Sequence, residues 1–320
     1  MFKDFMPTRA ARDYEDFQKN RFPAQKGEML EFVGADGLDV YNTSVPFEHG
    51  GKRIIAARTE ARKTEDSTTM FFEEKGGEYV LMPEAKKLEG LQDPFFATID
   101  GRPILGGVHA LWRPDGSLIT YHTDFYDIED LACPTHILHG PDEMKDIRLL
   151  QLLDGRIAVF TRPNGRAVSE YGIVAAVGFA ILDWLKEITP GQIAGAPLIK
   201  WLFCENEWGG VNQAHNLKNG KIGIIGHKAR GEMIGGVHYM HYCGFATAIN
   251  ISSGEIAPTK TICARECFPE AEPKRELARD VCFVSGIERL PGGKAFLYSG
   301  LSDSREGRLQ IEDPFFEHEM

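Results

Sequence analysis

The chain has 320 residues, 42% of them hydrophobic, with 34 glycines and 17 prolines; that is enough apolar material for a sizeable core and more turn residues than a helical protein uses. Its formal net charge of −11 excludes a general nucleic-acid or anionic-membrane binder, since both need a basic surface, yet leaves room for an anionic small substrate in a local basic pocket. The acid-bearing N-terminus lacks the apolar stretch of a signal peptide, no run is long enough to span a bilayer, and the six cysteines show no C-x-x-C spacing; these features predict a cytoplasmic protein with reduced thiols.

Residues 1–22 read as a short amphipathic helix with Ala10, Tyr14 and Phe17 on one face, able to dock on the domain or on a second subunit. Residues 1–27 as a whole are expected to be an N-terminal helical or extended segment. From Glu28 the period becomes strand-like, which predicts one domain over 28–320. Five turns then recur, each followed by a strand-forming run. Gly50-Gly51 precedes Arg53–Arg58, and Asp100-Gly101 precedes Pro103–Val108. Asp154-Gly155 precedes Arg156–Phe160, Asn219-Gly220 precedes Lys221–Gly226, and Gly292-Gly293 precedes Lys294–Tyr298. All five are of the kind that two-residue hairpin loops favour.

Strand-like runs flank these turns on both sides, as at Phe95–Ile99 and Gly172–Leu182. The recurrence at roughly 50 to 75 residues lies at or beyond the upper range of propeller-blade spacings. The fold class expected is therefore all-β, a five-bladed β-propeller with a short N-terminal helical segment. A β-sandwich with long insertions is the competing architecture, but its strands follow at about 8–12 residues without the longer period. Trp184–Thr189 reads as one helical turn ending before Pro190, Pro269–Arg279 as a charged surface connection, and Gly209–Asn212 and Gly235–His238 as turns.

In a propeller the innermost strands converge, so residues near their ends can meet in one pocket. Five clusters qualify: Arg58-Thr59-Glu60, Gln92-Asp93, Lys145-Asp146 with Arg162, His215-Asn216 with His227, Lys228 and Tyr242, and Arg279-Asp280. Interleaved carboxylates and cations suit a sugar or a phosphorylated substrate, because a carboxylic acid can protonate a departing oxygen and cations can hold phosphate. Each residue has a plainer alternative. Asp93 can cap the turn made with Pro94, Arg162 can be a solvated strand-end charge, and His227 a hydrogen-bonded core histidine. His122, His136 and the Cys263–Cys267 pair lack ligand-like spacing, so neither a metal nor a cofactor is expected. There is no nucleophile elbow, phosphate-binding P-loop or dinucleotide fingerprint.

In this order the clusters resemble the β-mannoside phosphorylases of glycoside hydrolase family 130. They resemble more closely the related β-1,2-mannosyltransferase–phosphorylase family (glycosyltransferase family 108), first catalogued as a domain of unknown function, over about residues 28–312. Leu91-Gln92-Asp93-Pro94 looks like the family's Glu-Asp-Pro-Arg segment, whose Asp is the general acid; Gln92 replaces the Glu and Phe95 the Arg. Lys145-Asp146-Ile147, followed by Asp154-Gly155 and Thr161-Arg162-Pro163, is similar to the stretch holding two phosphate-binding basic positions, with Lys145-Asp146 in place of Arg-Asn. A lysine is a point charge rather than a planar fork, and the added carboxylate repels phosphate unless it binds sugar or is paired.

Ala214-His215-Asn216 stands where the phosphorylases carry a lysine, and His227 and Tyr242 resemble the remaining phosphate contacts. Arg279-Asp280-Val281 looks like the segment whose Asp binds a mannose hydroxyl, and Arg58 and Glu60 resemble first-blade sugar contacts. The resemblance implies Asp93 as catalytic acid. It places Lys145, Arg162, His215, His227 and Tyr242 on phosphate, and Arg58, Glu60, Asp146 and Asp280 on sugar. The substrates implied are mannose, mannose 1-phosphate, phosphate, β-1,2-mannooligosaccharides and GDP-mannose, and a homo-oligomer is compatible with the chain. Two alternatives stand beside it. An inverting glycosidase would need Asp146 or Glu207 as a second carboxylate, and a non-catalytic carbohydrate-binding propeller would need neither.

Overall fold

The computed structural model describes residues 8–20, 26–165, 168–169, 172–199 and 202–319. These residues form five sheets that follow one another along the chain. In the first, Asp39–Tyr41 and Phe47–His49 both pair with Lys52–Glu60, which is followed by Thr68–Lys75, Glu78–Leu81 and Phe32–Val33. The second runs Leu91–Ile99, Arg102–Trp112, Leu118–Asp127, Thr135–His139. The third runs Arg148–Gln151, Ile157–Thr161, Val177–Leu182, Leu198–Ile199. In the fourth, Glu207–Asn216, Ile222–Ile234 and Val237–Asn250 lead to Glu255–Ile256 and Lys260–Cys263. The fifth runs Cys282–Leu290, Lys294–Leu301, Arg305–Glu312 and is completed by Glu28–Met29 from the other end of the chain.

Buried clusters sit between successive sheets. Ile54, Phe71, Leu105 and Ile128 join the first to the second, and Phe95, Ile104, Leu149 and Val159 the second to the third. Phe160, Val177, Val211 and Ile224 join the third to the fourth, and Ile225, Ala246, Val284 and Leu297 the fourth to the fifth. Ile55, Phe72, Tyr79 and Tyr298 join the first sheet back to the fifth. Each sheet is thus buried on both faces, and the inter-sheet packing closes on itself. At roughly 1.5–3 kcal/mol for each fully buried large side chain, these seams hold the sheets together. The first strands of the second to fifth sheets also touch in turn around the middle. The architecture is β-propeller-like.

All five predicted turns close antiparallel hairpins: four join the first strand of a sheet to the next, and Gly50-Gly51 joins Phe47–His49 to Lys52–Glu60. Gly50-Gly51 and Asp100-Gly101 are two-residue loops with positive φ at both positions, +52° and +73° in the second pair. The other three loops are longer than expected. Around Asp154-Gly155 and Asn219-Gly220 only the glycine is left-handed, which is how a type I turn closes with a bulge. Three other expectations change and one is met with an addition. The N-terminal helix spans Ala10–Asn20, and residues 1–7, 21 and 22 of its expected range lie outside the described residues. The helical turn expected within Trp184–Thr189 is present as the 3₁₀ turn Leu185–Glu187, and Pro190 opens a further helix, Pro190–Ala194, because Thr189 caps it and a missing N–H costs nothing at a first turn. Gly209–Asn212 is strand, where a Cβ on Gly209 would stand 2.2 Å from the His227 carbonyl oxygen. The Pro269–Arg279 connection is partly interior: it sends the buried Lys274 ammonium to Glu60.

Candidate active site

The inner strands are irregular where they converge. In the strand Leu91–Ile99, Phe95 pairs with Gly106 and Gln92 with Val108, so Asp93 and Pro94 together oppose Gly107 alone. This bulge holds Asp93 at φ +49° and re-aims its side chain. A Cβ on Gly107 would lie 2.9 Å from the Gln92 carbonyl oxygen, so the partner position must be glycine. Register shifts recur around Asn212 in the fourth sheet and Ser285 in the fifth. Asn42, Asp146 and Asp303 stand at φ +46°, +58° and +53°. Asp and Asn tolerate this region better than other non-glycine residues.

Asp93 Oδ1 accepts hydrogen bonds from Asn42 Nδ2 at 2.8 Å and from Arg58 Nη1 at 3.1 Å. Its Oδ2 makes no hydrogen bond among the described residues. Arg58 is fixed from several sides: it donates to Ser67 Oγ, Glu60 Oε2 and Glu65 Oε2 at 3.0, 3.1 and 3.2 Å, and lies over the Tyr41 ring. Glu60 also accepts from Tyr41, Ser67 and Lys274. Asp303, which sequence reasoning missed, completes this half. Burial pushes its carboxyl up to about 6, with Arg58 opposing and Asp93 adding. Arg58 and Lys274 against Glu60, Glu65, Asp93 and Asp303 make an acidic, hydrogen-bonding half-pocket suited to hydroxyl groups.

The other half is basic. Asp146 is buried between Arg162 at 3.2 Å and Arg148 at 3.8 Å. Burial alone would raise its carboxyl, but Arg162, Arg148 and Lys145 outweigh that and hold it at about 2. Arg162 is anchored by donating from Nε to the Gly209 carbonyl at 2.6 Å, and Arg148 from Nε to the Asn212 carbonyl at 3.0 Å. His227 Nδ1 lies 2.8 Å from Asn212 Oδ1, with its ring stacked on Tyr242. Burial lowers His227 to about 3, helped by Arg162, so the ring is neutral near pH 7. Lys145 makes no hydrogen bond or ion pair among the described residues. Burial and Arg162 lower its pKa, while Asp146 and Asp93 favour its charged form. Three cations around one committed carboxylate leave a positive surplus beside the acidic half. From Lys145, Arg162 and Tyr242 a cleft of about 570 Å³ continues past Trp208, Asn206 and His238.

Of the predicted residues, the fold brings together Arg58, Glu60, Asp93, Lys145, Asp146, Arg162, His227 and Tyr242. It does not bring His215 or Asp280. His215 lies beyond the Asn212 bulge, toward the hairpin end of its strand, against Gln213 and the Phe315 ring. Asp280 precedes its strand and pairs at 2.5 Å with His241, on the side where Tyr14 and Glu266 lie. Glu207 is committed to the N-terminal helix, accepting from the Ala10 N–H at 2.6 Å. That helix docks on this same chain, with Lys228 bound to Asp13 at 2.7 Å and Phe17 packed on the core.

Fold and pocket together define a β-propeller-like protein with a charge-divided pocket where its inner strands meet. The chain belongs to the family described as "Protein of unknown function (DUF1861)", whose model matches residues 15–317. It is 37% identical to MPT-4, a mannose phosphorylase from Leishmania mexicana solved in complex with phosphate ion; the likeness covers 97% of this chain and 95% of that one, with a TM-score of 0.88. It is 34% identical to MPT-1, a GDP-Man-dependent mannosyltransferase from the same organism, over 97% of this chain and 96% of that one, with a TM-score of 0.87. A β-1,2-mannobiose phosphorylase from Listeria innocua is similar in fold alone, at 11% identity, TM-score 0.56 and coverage of 89% and 93%. No curated protein matches the sequence.

Proposed function

We propose that this chain is an inverting β-mannoside glycosyltransferase or phosphorylase, a five-bladed propeller over residues 28–320 on which the N-terminal helix Ala10–Asn20 docks. The observation that carries the reading is the pocket's division: Asp93, whose Oδ2 makes no hydrogen bond among the described residues, lies between a hydroxyl-binding half and a basic half whose Lys145 side chain has no partner among them. The names of the similar proteins, a mannose phosphorylase and a mannosyltransferase, support mannose as the sugar.

Phosphate held by Lys145 and Arg162, with His227 and Tyr242 beside them, attacks the anomeric carbon. The new C1–O bond to phosphate forms as the glycosidic C1–O bond breaks. Asp93 gives its proton to the departing oxygen, directly or through a sugar hydroxyl. In synthesis the same carboxylate takes the proton from the acceptor. Arg58, Glu60, Lys274 and Asp303 hold the mannose; Asp303 takes the place that sequence reasoning gave to Asp280. The cleft past Trp208 gives a larger donor, GDP-mannose, room beyond the phosphate position.

A hydrolase is disfavoured because both candidate bases are occupied, Asp146 by two arginines and Glu207 by the helix. The test is incubation with mannose plus mannose 1-phosphate, and separately plus GDP-mannose, followed by oligosaccharide analysis. A β-1,2-linked product from either donor is expected. Mannose released from mannobiose without added phosphate would choose the hydrolase, and no product from either donor would remove the assignment.

A further inference from the structure

The second sheet carries a set of side chains that the proposed chemistry does not use. His109 and His122 are direct cross-strand partners, and Asp124 lies two residues beyond His122 on the same face. Strand Thr135–His139 adds His136. Three imidazoles turn a ring nitrogen toward the buried Asp124 carboxylate: His109 Nδ1 is 2.7 Å from Oδ2, while His136 Nε2 and His122 Nε2 are 3.0 and 3.2 Å from Oδ1. The ligand atoms of His109, His122 and Asp124 all lie within 4.8 Å of one another. The other ring nitrogen of His122 is buried without a hydrogen-bond partner, with Asp142 Oδ1 3.6 Å away.

We propose that His109, His122 and Asp124 form a site for a divalent first-row transition metal of the Zn²⁺ type, with His136 or water at a fourth position. Ligands at about 2.0–2.2 Å from a tetrahedral ion lie roughly 3.3–3.6 Å apart, so side-chain rotations that close the widest separation by about 1 Å bring this set to a metal. An imidazole-rich set with one carboxylate selects zinc-like ions over calcium or magnesium, which take oxygen ligands. Asp142 is placed to accept from the Nδ1–H of a metal-bound His122, the usual outer partner of such a ligand.

The site adjoins the pocket without belonging to it. His122 bridges to Met144, the Gly140 N–H donates to the Thr123 carbonyl, and the Glu143 N–H donates to the Tyr121 carbonyl. The strap 140–144 therefore lies along the metal-bearing strand and runs directly into Lys145 and Asp146. An ion here clips three strands together and steadies that strap.

The test uses the full chain, stripped with EDTA and titrated with Zn²⁺ by calorimetry and with Co²⁺ by visible absorption. One equivalent of Zn²⁺ should bind at low-micromolar affinity or tighter. The Co²⁺ complex should show four- or five-coordinate d–d bands without a thiolate charge-transfer band. His122→Ala and Asp124→Asn should each weaken binding at least tenfold; His136→Ala, at an exposed position, tests the same face with little risk to folding. Cys263→Ser should leave binding unchanged. No Zn²⁺ binding by the folded chain, a thiolate band, or affinity unmoved by His122→Ala and Asp124→Asn would each overturn the site. Failure of the mannosyl-transfer assay would not, because the two readouts are independent.

Discussion

Replacing Asp93 by asparagine isolates proton transfer from everything else the residue does. Asparagine tolerates the left-handed φ of +49°, and its amide oxygen can still accept from Asn42 Nδ2 and Arg58 Nη1. Arg58 keeps Ser67, Glu60 and Glu65, so the loss in stability should stay within about 1 kcal/mol. What disappears is the acid, and a positioned general acid is worth about 10² to 10⁴-fold, or roughly 3–5 kcal/mol of barrier. The substitution also removes one of the groups that favour the charged form of Lys145, so phosphate binding is read separately from turnover. Initial rates of β-1,2-mannobiose phosphorolysis and of synthesis from mannose 1-phosphate, with calorimetric phosphate binding beside them, read both effects. A folded Asp93→Asn variant with kcat within threefold of the native enzyme in both directions would refute the role. Alanine is the weaker test, since it leaves Asn42 without its acceptor and adds left-handed strain of about 1–2 kcal/mol.

Lys145→Met should raise the KM for phosphate about tenfold or more, the worth of one charge-assisted contact, with the melting temperature unchanged or higher because the ammonium has no partner among the described residues; an unmoved phosphate KM would remove Lys145 from the site. Gly107→Ala should lower both kcat and the melting temperature, since its Cβ would press on the Gln92 carbonyl and distort the bulge that aims Asp93; full activity would show that the bulge is not needed. Glu306 gives a pH test. Burial pushes its carboxyl up to about 8 from an unfolded value of 4.5, so the folded state holds the proton more tightly. Its contribution is fully present below pH 4.5 and is lost as pH rises through about 8. Glu306→Gln should flatten the fall in denaturant stability across that window, and an unchanged slope would show that Glu306 titrates normally in the folded chain.

The propeller-like plan was legible because its signals are local. A Gly-containing turn followed by a strand-forming run marks a hairpin in each sheet, and all five expected hairpins exist. The family resemblance was legible too, in the Asp-Pro and Arg-Pro segments. What sequence did not reveal depends on side-chain direction. The pattern around Ala214-His215 does not disclose that the bulge at Asn212 shifts the register before His215. Asp280 and Asp303 are both aspartates flanking strands, and only the three-dimensional path puts the second beside Arg58. A Ser302-Asp303 turn with both residues left-handed was the available signal, since bulky residues avoid that conformation. The histidine cluster escaped for a similar reason: His109 and His122 have no ligand spacing along the chain, but the hairpin register makes them neighbours.

The distribution of backbone strain separates the pocket from the scaffold. Besides glycines, eight described residues adopt positive φ, and four of them, Asn42, Asp93, Asp146 and Asp303, present the polar groups of the two half-pockets. Uninterrupted strands would alternate these side chains into the inter-sheet cores or along the strand faces. Turning them toward the centre takes the bulge at Asp93, left-handed steps at Asn42 and Asp146 beside their strands, and the Ser302-Asp303 turn after Lys294–Leu301, and the packed clusters between sheets hold those irregularities in place. Asp146 shows why this matters for chemistry. Its left-handed step places a carboxylate between Arg148 and Arg162, and that carboxylate fixes both guanidinium groups while cancelling only part of their charge. With Arg162 and Arg148 so held, Lys145, which has no side-chain partner among the described residues, is the cation of the three left for a ligand, and phosphate selectivity should respond to it first.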